Sequence, residues 1–170
     1  MSRRAAKAVT SPSAPGRESL ELWILQSFRT VVGSARNYDA EVRARTGISG
    51  SQLWALWEIS RAGGMRVNAL AERLALHQTT ASNMANVLSE RRLIRRARDG
   101  ADQRVVRLHA TADGMRLLLR APRPYAGLLV DALQKLEPAE LSRLSRSLAA
   151  LIGAMRRPAA ASAGETFLAD

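Results

Sequence analysis

The 170-residue chain contains no cysteine, which excludes disulfides, thiolate nucleophiles, cysteine-ligated zinc, iron–sulfur clusters and cysteine-based peroxide sensing. Histidine is almost as scarce. His77 and His109 are the only two, far apart in sequence and without a carboxylate pair at metal-ligand spacing, so no catalytic residue, metal or cofactor is expected. No run approaches the roughly 18 consecutive apolar residues of a membrane span. Ser2-Arg3-Arg4 begins like an export signal but leads into Thr10-Ser11-Pro12-Ser13 instead of an apolar segment, and a soluble, cytoplasmic protein is expected. Phosphate-loop and dinucleotide fingerprints, internal repeats and sustained heptads are likewise missing.

What remains is a basic chain of ordinary globular composition, 46% hydrophobic and 24% charged, with 26 basic and 15 acidic residues and a formal net charge of +11. That balance favours an anionic partner such as nucleic acid. Only Lys7 and Lys135 are lysines, so part of the arginine excess is compatible with codon usage alone. Its distribution argues for more than that: seven arginines crowd into Arg91–Arg107 against Asp99 and Asp102.

Residues 1–17 and 158–170 lack apolar periodicity and read as flexible tails, the first of them basic, leaving 18–157 as a single domain. Within it the pattern is mainly α with one small β-hairpin. Leu20, Ile24, Phe28, Val31, Ala35, Tyr38 and Val42 form one apolar stripe on a helix of about 25 residues that Gly47 ends. Ser49 and Gln52 have capping-box spacing for a helix from Gly50 to about Arg61, and Gly63-Gly64 breaks it. Asn68 is the expected N-cap of a helix over Ala69–Leu76, and His77 opens another running to about Arg91. Ile94 to Arg98 and Val105 to Ala110 are then two short strand-like runs around the polar turn Asp99-Gly100-Ala101-Asp102-Gln103. Thr111 caps a helix through Leu119, and Pro122 and Pro124 interrupt the chain beyond it. Pro138 fits the first turn of a last helix striped by Leu141, Leu144, Leu148, Leu151, Ile152 and Met155.

The two short helices before the hairpin make a helix-turn-helix candidate. The second carries Gln78, Thr79, Thr80, Ser82, Asn83 and Asn86, side chains that bond base edges and phosphates, behind a helix N-terminus that favours an anion. In isolation such a stretch reads more often as a capped, solvated surface helix. The hairpin after it, with Arg95, Arg96, Arg98, Arg104 and Arg107, supplies a wing short enough for a minor groove, and helix plus wing form a coherent reader of double-stranded DNA.

The run Leu70-Ala71-Glu72-Arg73-Leu74-Ala75-Leu76-His77-Gln78-Thr79-Thr80-Ala81-Ser82-Asn83, then Leu93-Ile94, Asp102-Gln103-Arg104 and Leu108-His109-Ala110-Thr111-Ala112-Asp113-Gly114, resembles the winged helix-turn-helix of MarR-family transcriptional regulators. The similarity spans roughly 48–119. The resemblance implies a winged helix-turn-helix core at about 48–111 flanked by long dimerisation helices at about 18–45 and 112–157. It also implies a homodimer on a near-palindromic operator and a repressor released by a small, often aromatic, effector. Carried over by position, Thr79, Thr80, Ser82 and Asn83 face DNA, Arg104 enters the minor groove and Asp102 helps hold the wing. His77 stands where serine commonly caps the helix, and Arg92 where glycine often ends it.

The resemblance further places an effector between the dimerisation helices and the winged domain, which draws in Trp23, Tyr38, Arg43, Trp54 and Trp57. Trp54 and Trp57 lie one turn apart, suited either to stacking on an aromatic ligand or to plain core packing, and Arg43 is a candidate partner for a ligand carboxylate. The alternatives are a winged-helix DNA-binding protein acting without an effector, an enzyme, for which no nucleophile–base pair is present, and a membrane-surface protein using Arg3, Arg4 and Lys7, for which no amphipathic helix is present.

Overall fold

The structure, a computed structural model, describes residues 16–98 and 105–155. The elements run α1 (Arg17–Thr46), α2 (Gly50–Arg61), α3 (Val67–Arg73), α4 (Gln78–Glu90), β1 (Ile94–Arg98), β2 (Val106–Ala110), α5 (Ala112–Arg120), α6 (Leu128–Gln134) and α7 (Pro138–Met155). A compact unit extends to Asp131, and a second begins at Ala132. Among the described residues no helix is long and apolar enough to cross a membrane.

Helix α1 is longer than expected, at 30 residues, and stops at Gly47, whose left-handed backbone lets its N–H close onto the Arg43 carbonyl. The capping box forms as the spacing predicts: Ser49 Oγ accepts from the Gln52 N–H, while Gln52 Oε1 accepts from the Ser49 N–H. Leu53, Leu56 and Ile59 turn inward from α2, which touches α1, α3, α4, α5 and β2. The core that they centre also takes in Val42, Ile48, Leu70, Ala81, Ala85, Leu88 and Leu108.

Asn68 does not cap α3. The helix starts two residues earlier than expected, with Arg66 at the N-cap and no side-chain cap bond. The cause lies across the fold: Met65 exchanges both backbone hydrogen bonds with Leu108, at 3.0 and 2.7 Å, which fixes where the extended chain ends and leaves Asn68 inside the first turn. The same bridge adds a one-residue third edge to the β1–β2 hairpin.

Helices α3 and α4 end alike. The Leu76 N–H bonds Ala71 O and the Ala75 N–H bonds Glu72 O; one helix later, Leu93 bonds Leu88 and Arg92 bonds Ser89. Both are Schellman closures, and both put a non-glycine residue in the left-handed region, Ala75 at φ 52° and Arg92 at φ 58°. Arg92 therefore makes the turn that glycine usually makes, held by backbone bonds at a cost of about 1–2 kcal/mol per residue.

Helix α5 ends at Arg120, before Pro122 and Pro124, and the short α6 after Gly127 is an element that the proline-rich stretch concealed. Helix α7 begins on Pro138 as expected and buries none of its residues.

Thr111 ties the hairpin to α5. Its hydroxyl accepts from the Gly114 N–H and donates to the carbonyl oxygens of Arg92 and Leu93. The clamp leaves no room beside Gly114, where a Cβ would sit 2.2 Å from Leu93 O and 3.1 Å from Leu56 Cδ1. Helix propensity alone favours alanine there by about 1 kcal/mol. A backbone carbonyl cannot swing aside, so overpacking prevails. Gly114→Ala is expected to lower unfolding free energy by about 1–3 kcal/mol, read as a lower urea midpoint at unchanged slope.

Candidate nucleic-acid interface

Helix α4 is two-sided. Ala81, Ala85 and Leu88 are buried at i, i+4 and i+7, which turns Thr79, Asn83 and Asn86 outward on the opposite face, all three exposed. Gln78 and Thr80 are exposed beside them, and Ser82 is half-buried. At the N-cap, His77 makes no side-chain cap bond, so the leading N–H groups of α4 are left for another acceptor, for which a phosphate is suited.

The wing strands carry arginine on both faces. In the antiparallel register Arg96 opposes Leu108 and Arg98 opposes Val106, on the same face as buried Ile94; Arg95 opposes His109 on the other face. Arg95, Arg96 and Arg98 are all exposed. Arg96 reaches back to α4 and donates through Nη2 to the amide oxygen of Asn86. Asp102 and Arg104, expected at the wing tip, lie outside the described residues.

Two contacts hold this reader in place. Arg91, at the C-cap of α4, donates to Gly47 O at 2.7 Å. Glu58, on α2, is the buried charge among the described residues; it accepts from Arg73 Nη1 of α3 at 2.9 Å and from Trp54 Nε1 at 3.3 Å. The patterns of charge and apolar residues give no sign of that pairing, because it joins positions 15 residues apart on two helices.

The effector candidates divide. Tyr38 and Trp54 meet at a cavity of about 230 Å³ that Asp39, Gly50, Gly127 and Leu128 also line. Trp57 is not among its lining residues: the Arg61 guanidinium lies 4.7 Å over its ring and Tyr125 packs against it at 6.1 Å between centroids. Trp23 is absent from the lining too, and Arg43 is engaged in an ion pair with Asp39 at 2.7 Å. Both tryptophans are partly buried against the hydrophobic core, and positions three apart on α2 diverge enough for the two rings to meet different neighbours. Tyr38 itself is buried, and its hydroxyl donates to the carbonyl oxygens of Pro122 and Pro124, fastening the loop after α5 to α1. Burial raises its phenol above the ordinary value, with Glu41 and Tyr125 adding to the effect.

Asp39 was not singled out by the sequence, yet it joins α1 to the start of α2. Its carboxylate accepts from Arg43 Nε and, at 2.7 Å, from the Gly50 N–H. Those bonds, the Arg43 one foremost, hold its pKa below the ordinary 3.8 despite some desolvation. A depressed folded-state pKa gives stability that is present above the unfolded value and is lost as pH falls through the folded one. Asp39→Asn is therefore expected to be less stable than the parent at pH 7, with the gap closing below about pH 4; urea unfolding at both pH values checks it.

A model of the MarR family matches residues 46–105. The HTH-type transcriptional regulator YsmB of Bacillus subtilis (strain 168) is 24% identical over 134 residues, covering 79% of this chain and 92% of the relative. The HTH-type transcriptional repressor MdtR of the same organism is 30% identical over 74 residues, covering 44% of this chain and 48% of that protein. Among solved structures, Sco3205, a MarR family transcriptional regulator from Streptomyces coelicolor in complex with DNA, is 18% identical and superposes with a TM-score of 0.57, covering 89% of this chain and 96% of that one. The family model covers the capped α2, the helix-turn-helix and the start of the wing, and the Sco3205 likeness extends the fold to the helices on either side.

Proposed function

We propose that this chain, a MarR-family DNA-binding transcriptional regulator, works as a homodimeric repressor that places α4 in the major groove of each half of a near-palindromic operator. The observation that carries the reading is the outward face of α4, polar and uncharged over Thr79, Asn83 and Asn86 and flanked by exposed wing arginines. Such a face suits base edges better than phosphates, while Arg95 and Arg98, both exposed, supply charge that binds the backbone. Gln78, Thr80 and Ser82 complete the reading surface at its margins. In the same proposal Arg104 occupies the minor groove and Asp102 orients it.

Two apolar surfaces favour the dimer. Helix α1 exposes Leu20, Leu22, Ile24, Leu25, Phe28 and Val31, and α7 exposes Leu141, Leu144, Leu151, Ile152 and Met155. Many exposed large apolar side chains on one helix favour a protein partner that covers them, and a two-fold partner would match the symmetry of a palindrome. The repressor assignment draws on MdtR, which is named as one. For effector release, the proposal points to the cavity of about 230 Å³ beside Tyr38 and Trp54, two aromatic side chains on which a small aromatic molecule would pack.

Sedimentation at micromolar concentration should give about twice the 18.5 kDa chain mass; a stable, folded monomer there would refute the dimer. Arg104→Ala is expected to weaken operator binding and to flatten the dependence of log affinity on log salt by about one unit. Unchanged affinity and slope in a salt series would remove Arg104 from the interface.

A further inference from the structure

Asn86 lies on the outward face of α4 in register with Thr79 and Asn83, yet it differs from both in having a partner on another element. Arg96, on β1, donates to its amide oxygen. A guanidinium has donors and no acceptor, so the Asn86 amide must turn its oxygen to Arg96 and its NH2 group away. Both residues are exposed, and only three residues separate the end of α4 from the start of β1, a span within which Leu93 is anchored to Leu88 and Thr111. Helix and strand are therefore held in one fixed relation at this point.

We propose that Asn86 and Arg96 act as one specificity-determining unit that reads guanine, in place of the adenine that an unpaired asparagine would read. The inference rests on α4 being the reading helix. A free asparagine recognises adenine by accepting from N6–H with its oxygen while donating to N7 with its nitrogen. Here the oxygen is already committed to a cation, and an adenine N6–H2 brought to its side meets guanidinium hydrogens, donor against donor. What the pair offers to a base is the asparagine NH2, the remaining guanidinium N–H groups and a positive charge. Guanine, with N7 and O6 both accepting in the major groove, is the complementary edge. Thymine offers one acceptor, adenine one acceptor beside a donor, and cytosine only a donor.

The test is selection from randomised DNA duplexes with the full chain and with Asn86→Ala, Asn86→Asp, Arg96→Ala and Asn83→Ala, all at exposed positions, with folding checked by circular dichroism. The parent should select guanine at one symmetry-related pair of positions, and Asn86→Ala should make those positions degenerate. Asn86→Asp, which keeps an oxygen for Arg96 but loses the NH2, should also lose the guanine. Arg96→Ala frees the asparagine oxygen and should shift the adenine-to-guanine ratio there towards adenine by about tenfold, within the range of about 5- to 150-fold that one bidentate base contact commands. Uniform weakening by Arg96→Ala with no change of preferred base would make Arg96 a phosphate contact and overturn the proposal. An unaltered consensus with Asn86→Ala would overturn it as well. Asn83→Ala separates the two levels: if it alters the consensus while the Asn86 and Arg96 variants do not, only the paired reading fails. If none of the four variants alters it, α4 is not the reading helix.

Discussion

Leu53, Leu56 and Ile59 lie within two turns of α2 and are almost wholly removed from water, and the helix that carries them is the one that α1, α3, α4, α5 and β2 all touch. Each such side chain contributes about 1.5–3 kcal/mol on burial, enough together to set the positions of elements that are individually too short to persist. A seven-residue α3 or a five-residue strand has no independent stability. The reader made by α4 and the wing therefore takes its geometry from a helix that makes no part of the proposed contact surface.

Polar contacts refine what that burial begins. Glu58 is buried on α2, where an unpaired carboxylate would be costly, and Arg73 with the Trp54 indole N–H answers it. The pair fixes α3 in rotation, whereas hydrophobic packing alone would fix mainly its distance. Asp39 does the same between α1 and α2, and Thr111 between the wing and α5. All three occur where one side chain bonds backbone or charge on a neighbouring element.

Most elements were legible in the sequence because their signals are local. The Ser49–Gln52 capping box, the Gly47 stop, the glycine-containing polar turn between two strand-like runs and the Thr111 cap each depend on residues within a few positions of one another. What the sequence left open has the opposite character. Arg66 displaced Asn68 at the start of α3 because Met65 is paired with Leu108, more than forty positions away. Helix α6 was hidden behind prolines that end one helix without forbidding the next. At the cavity, Tyr38 and Trp54 came together while Trp57 and Arg43 went to Arg61, Tyr125 and Asp39, a choice among neighbours that no spacing rule decides. The Asn86–Arg96 contact belongs to the same class, since it joins a helix and a strand that each have their own local signal.

The Schellman closures at Ala75 and Arg92 bear on how such a protein diverges. Each turn of the helix-turn-helix is drawn by main-chain N–H and C=O groups, and any residue other than proline can supply those. Even the left-handed positions have been ceded to alanine and arginine. The architecture of the reader is thus written largely in backbone, while its outward side chains are free to be exchanged under selection. A lineage built this way can retarget itself to new operators by point substitution without first surrendering its fold, in keeping with a structure shared with Sco3205 at 18% identity.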